Sequence, residues 1–482
     1  MNADTESTTE PDPRRWIALF AALTAPFLGV LDFFVVNLAL PQIGERLGAT
    51  FAQQQLVIAF YATSYAVFVV TGGRLGDTYG RRRVFLLGLG GFVGASLLCG
   101  IAPNPWSLIA ARFAQGFAAA LAFPQVLALV HVTFPEYERP KALAYFGLNV
   151  ALASIAGQML GGFLVHWNLF DLGWRVLFLI NLPIGGVALW IAARTLPEAR
   201  APNPPTLDWG GVVIATAALV LFLVPVIEGQ QAGWPAWSLV MLIASVPVFA
   251  WFVRAERRAK SHGRDPLIDL ALFKLKSFRV GLGMIAAYFF GGGSLFLILS
   301  IYEQRGLGLD TLQSALTFLG FAVALLFSSL FVSHHVTRYR TLFLHGGFAL
   351  VCTGMALLVL GLATAPDGDA RTLIVIGLSI YGVGQGCVAP IMYSSAISGV
   401  PLRSAGAASG VLSTCQQVSA AVGVALIGLI FAGVLAERIG PEAHAQAAMW
   451  ALCVNFTSMV VAAVLAWRLP NSRDYAASKR AP

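Results

Sequence analysis

Long apolar runs, each broken by a short polar stretch, organise this chain from Trp16 to Arg468. The runs lack the strict alternation of barrel strands, and most reach the roughly 20 residues that a helix needs to cross a bilayer. Fourteen helices are predicted. The first seven cover 16–40, 54–73, 84–102, 107–132, 142–166, 174–196 and 209–227. The second seven cover 236–255, 278–301, 313–334, 341–363, 373–396, 405–433 and 446–468. Little chain is left over for a soluble domain.

Composition agrees with that pattern. Of 482 residues, 57% are hydrophobic and 11% charged, where soluble domains carry about 25% charge. The prediction is an all-α polytopic membrane protein. Basic residues then set its orientation, because cytoplasmic loops are enriched in Lys and Arg. With both termini cytoplasmic, 25 of the 31 basic residues fall on the inner side. The outer side receives Arg46, Arg175, Arg305, Arg371 and Arg438, and Arg112 lies inside a span. The net charge of +8 is thus a topology signal rather than a nucleic-acid footprint. The expected location is a bacterial inner membrane, with the first span kept as an anchor. Five cysteines fall within spans without a CxxC pair, so they read as packing residues rather than as disulfides or a metal site.

The parse is six helices, a two-helix insert, then six more. Its expected boundaries are a tail over 1–15, a first bundle over 16–196, a linker and insert over 197–277, a second bundle over 278–468 and a tail over 469–482. An internal echo supports this repeat. "RFAQGFAAALAFP", beginning at Arg112, and "GVGQGCVAP", beginning at Gly382, occupy the fourth span of each bundle. Only the first copy keeps the arginine.

Two polar constellations stand out. Asp32, in "GVLDFFVVNLALP", is the one acid of 23 that the predicted spans place deep in the membrane. At 1.5 Å per residue it lies about 13 Å below Pro41, and Arg112 about 9 Å below Trp106. Charges at similar depths can pair, or can share a wet cavity. Burial favours a protonated carboxyl and a nearby guanidinium favours the ionised one, so a moving helix could switch Asp32 between them. A static ion pair is the alternative. Asn37 and Gln115 could add hydrogen bonds there. The second constellation is "GGRLGDTYGRRR", Gly72–Arg83, between the second and third spans. Its glycines allow a tight turn, Asp77 can cap or pair, and the arginines hold the loop at an anionic leaflet.

These stretches carry a resemblance. "GRLGDTYGRRR" resembles the loop signature of the major facilitator superfamily, and "LDFFVVNLALP" is similar to the first helix of its 14-helix drug:proton antiporter branch. "RFAQGFAAA", "WRVLFLINLPIG", "LDWGG", "DPLIDLALFKLKSF" and "AGAASGVLSTCQQVSAAVGVALIG" resemble the same branch, in the right order. The resemblance implies a major-facilitator-type fold and proton-coupled export of small lipophilic compounds by alternating access. Asp32 and Arg112 would serve proton coupling, and Gly73, Asp77, Gly80 and Arg81 an inner gate. The fifth-helix antiporter motif departs: "ASIAGQMLGG" keeps Gly157, Gly161 and Gly162 but has Gln158 where the family has proline. The kink a proline would cause is therefore not expected. The span over 313–334 lacks the second embedded acid of divalent-cation exporters, which favours monovalent, neutral or zwitterionic cargo.

Candidate cavity residues are Asn37, Tyr61, Tyr65, Gln115, Phe123 and Asn149, with Tyr145, Phe289, Phe290 and Tyr393 as further aromatics. Aromatic faces hold flat cations; packing or lipid contact is the alternative for each. No cofactor is expected beyond protons, since the chain has no GxxxxGK[ST] loop, and no enzymatic arrangement stands out. A monomer is expected, and in a double-membraned cell such an exporter can hand its cargo to a periplasmic adaptor and outer-membrane channel. The rival readings are a dedicated exporter of one metabolite, siderophore or lipid, and a non-transporting membrane sensor.

Overall fold

Capping residues punctuate the apolar runs in the computed structural model. Thr50 and Gln53 form a reciprocal capping box at one helix start, and Asn104 and Ser107 form another ahead of Pro105. Asp208 accepts from the backbone N–H of Gly211 at a third. Gly48 ends the first helix at φ +65°. The structure describes residues 13–135, 137–168, 171–200, 208–229, 232–261, 266, 270–364, 371–398, 400, 405–435, 438 and 440–469. Most of both predicted tails, residues 201–207 and most of "DPLID" lie outside them.

Every regular element among the described residues is helical, and fourteen helices are long and apolar enough to span a membrane. They are α1 Arg15–Leu47, α2 Phe51–Tyr79, α3 Arg81–Gly100, α4 Pro105–Val130, α5 Leu148–Trp167 and α6 Gly173–Thr195, followed by α7 Trp209–Glu228 and α8 Ala236–Ser261. The last six are α9 Lys276–Gly306, α10 Thr311–Val332, α11 Tyr339–Thr364, α12 Arg371–Ile397, α13 Ala408–Leu435 and α14 Pro441–Trp467. Helices α10 and α11 run on from one another across a kink at Tyr339, where φ is −121° and ψ 27°. Helix α9 outlasts its predicted span, ending in a π-helical turn over Tyr302–Gly306.

The echo in the sequence corresponds to a packing repeat. A side chain at Gly116 of α4 would collide with the Tyr61 carbonyl of α2, and one at Gly386 of α12 would meet the Leu325 carbonyl of α10. In each half, small residues let the fourth helix lie directly on the second. The inserted α7 and α8 pack on each other and, through Val212 and Leu219, against Val67 of α2 and Val418 of α13. Most of α8 is exposed along its length, as a lipid-facing helix would be.

The core is continuous at one end of the molecule and divided at the other. With an even number of spans, both termini share one face, termed here the terminal face. Near the opposite face, residues 31–62 of α1 and α2 join the whole second bundle in a single apolar core. There Phe34 of α1 meets Phe296 of α9 at 5.1 Å and Phe321 of α10 at 6.1 Å between ring centroids. Near the terminal face the first bundle has its own core, which includes Leu23, Leu28, Phe85, Phe92 and Val126. Helices α2 and α13 lie side by side from Phe51–Phe431 to Val70–Gly410, with Thr414 donating to the Ala66 carbonyl at 2.9 Å between them. The two bundles share one apolar core toward the opposite face and have separate cores toward the terminal one, where α2 and α13 still touch.

Candidate functional site

Asp32 sits where the fused core ends, between Leu28 of the terminal-face core and Leu31 of the other. It is 1% exposed and forms an ion pair with Arg112, which is 2% exposed. Charges this deep are tolerated only when their remaining hydrogen-bonding capacity is also met. Gln115, one turn after Arg112 on α4, largely meets it. Its Nε2 donates to Asp32 Oδ1 at 3.1 Å and to Ser96 Oγ of α3 at 2.9 Å, while its Oε1 accepts from Arg112. Arg112 Nε donates to the Val57 carbonyl of α2 at 3.1 Å, and its guanidinium lies 4.3 Å from the Tyr61 ring centroid. From α6, Asn181 Nδ2 donates to Ser96 Oγ at 3.2 Å. Five helices thus converge on one acid.

Chemically this is a buried network built around one ion pair. Arg112 cannot give up its proton at ordinary pH, so any proton exchanged by this pair would have to sit on Asp32. A proton on Asp32 dissolves the pair, and Arg112 must then be re-satisfied by water or by a moved helix. Ser96 and Asn181 were not among the sequence candidates, because single small polar residues in separate apolar runs give no signal. Asn181 does lie within the quoted "WRVLFLINLPIG".

The other candidates divide into three groups. Tyr65 of α2 and Phe123 of α4 approach at 5.5 Å, and Phe289 of α9 and Tyr393 of α12 at 6.5 Å. Tyr65 and Tyr393 are close enough to interact electrostatically across the bundles. These four, Phe290 and Tyr145 are all half-buried, and Asn149 of α5, also half-buried, donates to the Leu23 carbonyl at 3.1 Å. Asn37 lies apart, in the fused core. It packs with Phe34, Leu38, Phe296, Ser300 and Phe318, which leave no room between them even for a water molecule. The glycines of α5 form the third group. Gly157 and Gly161 lie on α1 at Leu31–Leu38, while Gly162 abuts Leu312 and Ala315 of α10. The Gln158 side chain lies outside the described residues.

At the terminal face, Asp77 Oδ1 accepts from Arg81 Nη2 at 3.0 Å, and Arg81 Nη1 donates to the Ala128 carbonyl of α4 at 3.3 Å. Gly80 links α2 to α3 at φ +109°, a conformation that strains other residues. The backbone N–H of Arg81 donates to Ala199 at 2.9 Å and that of Arg82 to Glu198 at 3.2 Å, so the loop is tied to the chain after α6. Gly73 faces Pro124 of α4 at an ordinary contact distance. No group of three or more His, Cys, Asp or Glu among the described residues could hold a metal ion.

Two further acids are buried, toward helix ends and outside the predicted spans: Glu303 and Glu256 are each 1% exposed. Glu303 was missed because α9 continues five residues past the predicted end at 301, through "YEQRG", which reads as a polar loop.

The sequence profile described as Major Facilitator Superfamily matches residues 22–424. The chain belongs to the major facilitator superfamily. Among its relatives in that superfamily, the probable actinorhodin transporter of Streptomyces coelicolor is 36% identical over 429 residues, covering 89% of this chain and 74% of that one. The puromycin resistance protein pur8 of Streptomyces alboniger is 33% identical over 486 residues, covering 97% and 94%. The multidrug resistance protein Stp of Mycobacterium tuberculosis is 32% identical over 432 residues, covering 88% and 78%. The fold matches a peptide transporter crystallised with sulfate at a TM-score of 0.67 and 14% identity, with 94% of each chain covered. It also matches the xylose transporter XylE of E. coli, in a partially occluded inward-open conformation, at 0.62 and 13%, covering 95% of this chain and all of XylE. This is a transporter, a multi-pass membrane protein of drug-exporter type, and not an enzyme.

Proposed function

We propose that this transporter exports small lipophilic compounds from the cytoplasm in exchange for protons. The observation that carries the reading is the Asp32–Arg112–Gln115 network, set where the shared core gives way to a separate core in the first bundle. An acid at that level meets water when the bundles part and loses it when they close. The terminal face is cytoplasmic in this reading, as the basic loops favour, and the protein lies in the cytoplasmic membrane. Cargo would enter between the bundles and rest among Tyr65, Phe123, Phe289 and Tyr393, whose rings suit flat lipophilic molecules. The names of the relatives, which concern antibiotics and drugs, support that cargo class. A monomer suffices, because one chain supplies both bundles and the whole network. The Gly72–Arg83 loop would act as the inner gate, with Arg81 as its tie to α4.

Everted vesicles with an acidified interior test this reading. A cargo compound should discharge the proton gradient through the intact protein, and Asp32→Asn should reduce the discharge to background. Equal cargo-driven discharge by Asp32→Asn would sink the proton role and leave Asp32 a structural partner of Arg112.

A further inference from the structure

One of the two buried acids that the proposed cycle leaves unused sits at the opposite face. Glu303 lies in the π-helical turn that ends α9, inside the second bundle. Such turns are rare and frequent at functional sites, since they widen the helix by one residue and redirect its side chains. Here three consecutive residues point three ways. Glu303 turns into the second bundle, where its Oε2 accepts from Ser314 Oγ of α10 at 2.6 Å. Gln304 turns to the first bundle, its Nε2 donating to the Leu38 carbonyl of α1 at 3.0 Å. Arg305 reaches toward the Pro41 carbonyl at 3.5 Å. The turn is part of the seal between the bundles.

The surroundings of Glu303 are built for a polar group and incomplete for an anion. Ser300, Ser314 and Thr317 are all buried nearby, yet Glu303 Oε1 has no hydrogen-bond partner among the described residues. Charged groups around it are committed elsewhere. Arg371 at the start of α12 donates through Nη2 to the Gln313 carbonyl at 2.8 Å and through Nε to Thr317 Oγ1 at 3.4 Å. His444 of α14 packs on Gly306 and its Nδ1 lies 2.9 Å from the Gly440 carbonyl. Asp310 faces His166 of α5 at 3.8 Å, and Glu45 of α1 acts on Arg305. None of these completes a carboxylate shell.

We infer that Glu303 is a second proton-binding site, which takes up a proton when the bundles close at the opposite face and releases it when they part. A buried carboxylate with an unpaired oxygen is unfavourable; parting α9 from α1 frees Gln304 and Arg305 from the Leu38 and Pro41 carbonyls, loosens the turn that holds Glu303 against Ser314 and so lets water reach it. Linkage then runs both ways: acid favours closure, and closure favours the proton. Water reaches Glu303 from the opposite face, so this proton returns to the side it came from. The site senses the outer pH and adds nothing to the number of protons carried across. This rests on the geometry of α9, not on the coupling role of Asp32; only the name "outer" depends on the proposed orientation.

Two measurements test it on the full-length protein in detergent or nanodiscs. Infrared difference spectra between alkaline and acidic buffer should show a protonated-carboxyl band that disappears in Glu303→Gln and persists in Asp32→Asn. Hydrogen–deuterium exchange, corrected for intrinsic rate, should show the ends of α1 and α9 more protected in acid. That difference should vanish in Glu303→Gln and return in Glu303→Asp. A pH difference that survives Glu303→Gln overturns the proposal, above all if His166→Gln or His444→Gln removes it instead. Should Glu303→Gln not fold, the lack of a titrating carboxyl band in both intact protein and Asp32→Asn would overturn it equally. Failure of the Asp32 vesicle assay would leave both readouts unaffected, so the two readings fail separately.

Discussion

Arg112 is the residue on which the site turns, and its shape matters as much as its charge. Its planar fork meets Asp32, Gln115 and the Val57 carbonyl together while its face lies on Tyr61. A lysine is a point charge on a flexible stem and cannot serve those directions at once. Arg112→Lys should therefore keep the ion pair but leave a buried carbonyl and amide unpaired, costing about 1–3 kcal/mol. The check is the thermal midpoint in detergent, with Arg112→Lys expected well below the intact protein. At this scale the sequence was partly legible. Asp32 and Arg112 announce themselves because an apolar run tolerates a charge only when it is paired or used. Glu303 does not, because its neighbours Gln304 and Arg305 disguise the end of a helix as a loop. Ser96 and Asn181 are legible only as partners, once the helices have been assembled.

Helix α5 shows how a motif works at the scale of an element. Its glycines serve two neighbours: Gly157 and Gly161 receive α1, and Gly162 receives α10 of the other bundle. A side chain at Gly162 would collide with Ala315 and press on the Leu312 backbone, which cannot give way as a flexible side chain would. Gly162→Leu should cost about 1–3 kcal/mol of overpacking and prise the bundles apart at the opposite face. A cysteine introduced at the buried Ser300 should then react faster with a water-soluble maleimide than it does beside an intact Gly162. Gly186→Leu is the matching control, since nothing lies near that position. The glycine spacing in "ASIAGQMLGG" could be read from the sequence; which helix each glycine receives could not, since that depends on how two bundles meet.

At the scale of the whole molecule, the number of spans follows from the apolar runs, because each span must satisfy its own backbone within the hydrocarbon. What composition cannot convey is the state of the assembled pair of bundles. Apolar residues look alike whether they fill one bundle or bridge two, and the bridge at Phe34, Phe296 and Phe321 emerges only from assembly. That bridge has a thermal consequence. Opening the opposite face wets an aromatic seam, so the opening step should carry a positive heat-capacity change, and its equilibrium should curve with temperature instead of following a straight van 't Hoff line. Cooling weakens an apolar seam. Exchange at the ends of α1 and α9, followed from warm to cold at fixed pH, should lose protection toward the cold end. A cell in the cold would then hold more of its copies open at the opposite face, the side from which Asp32 takes its proton in the proposed cycle.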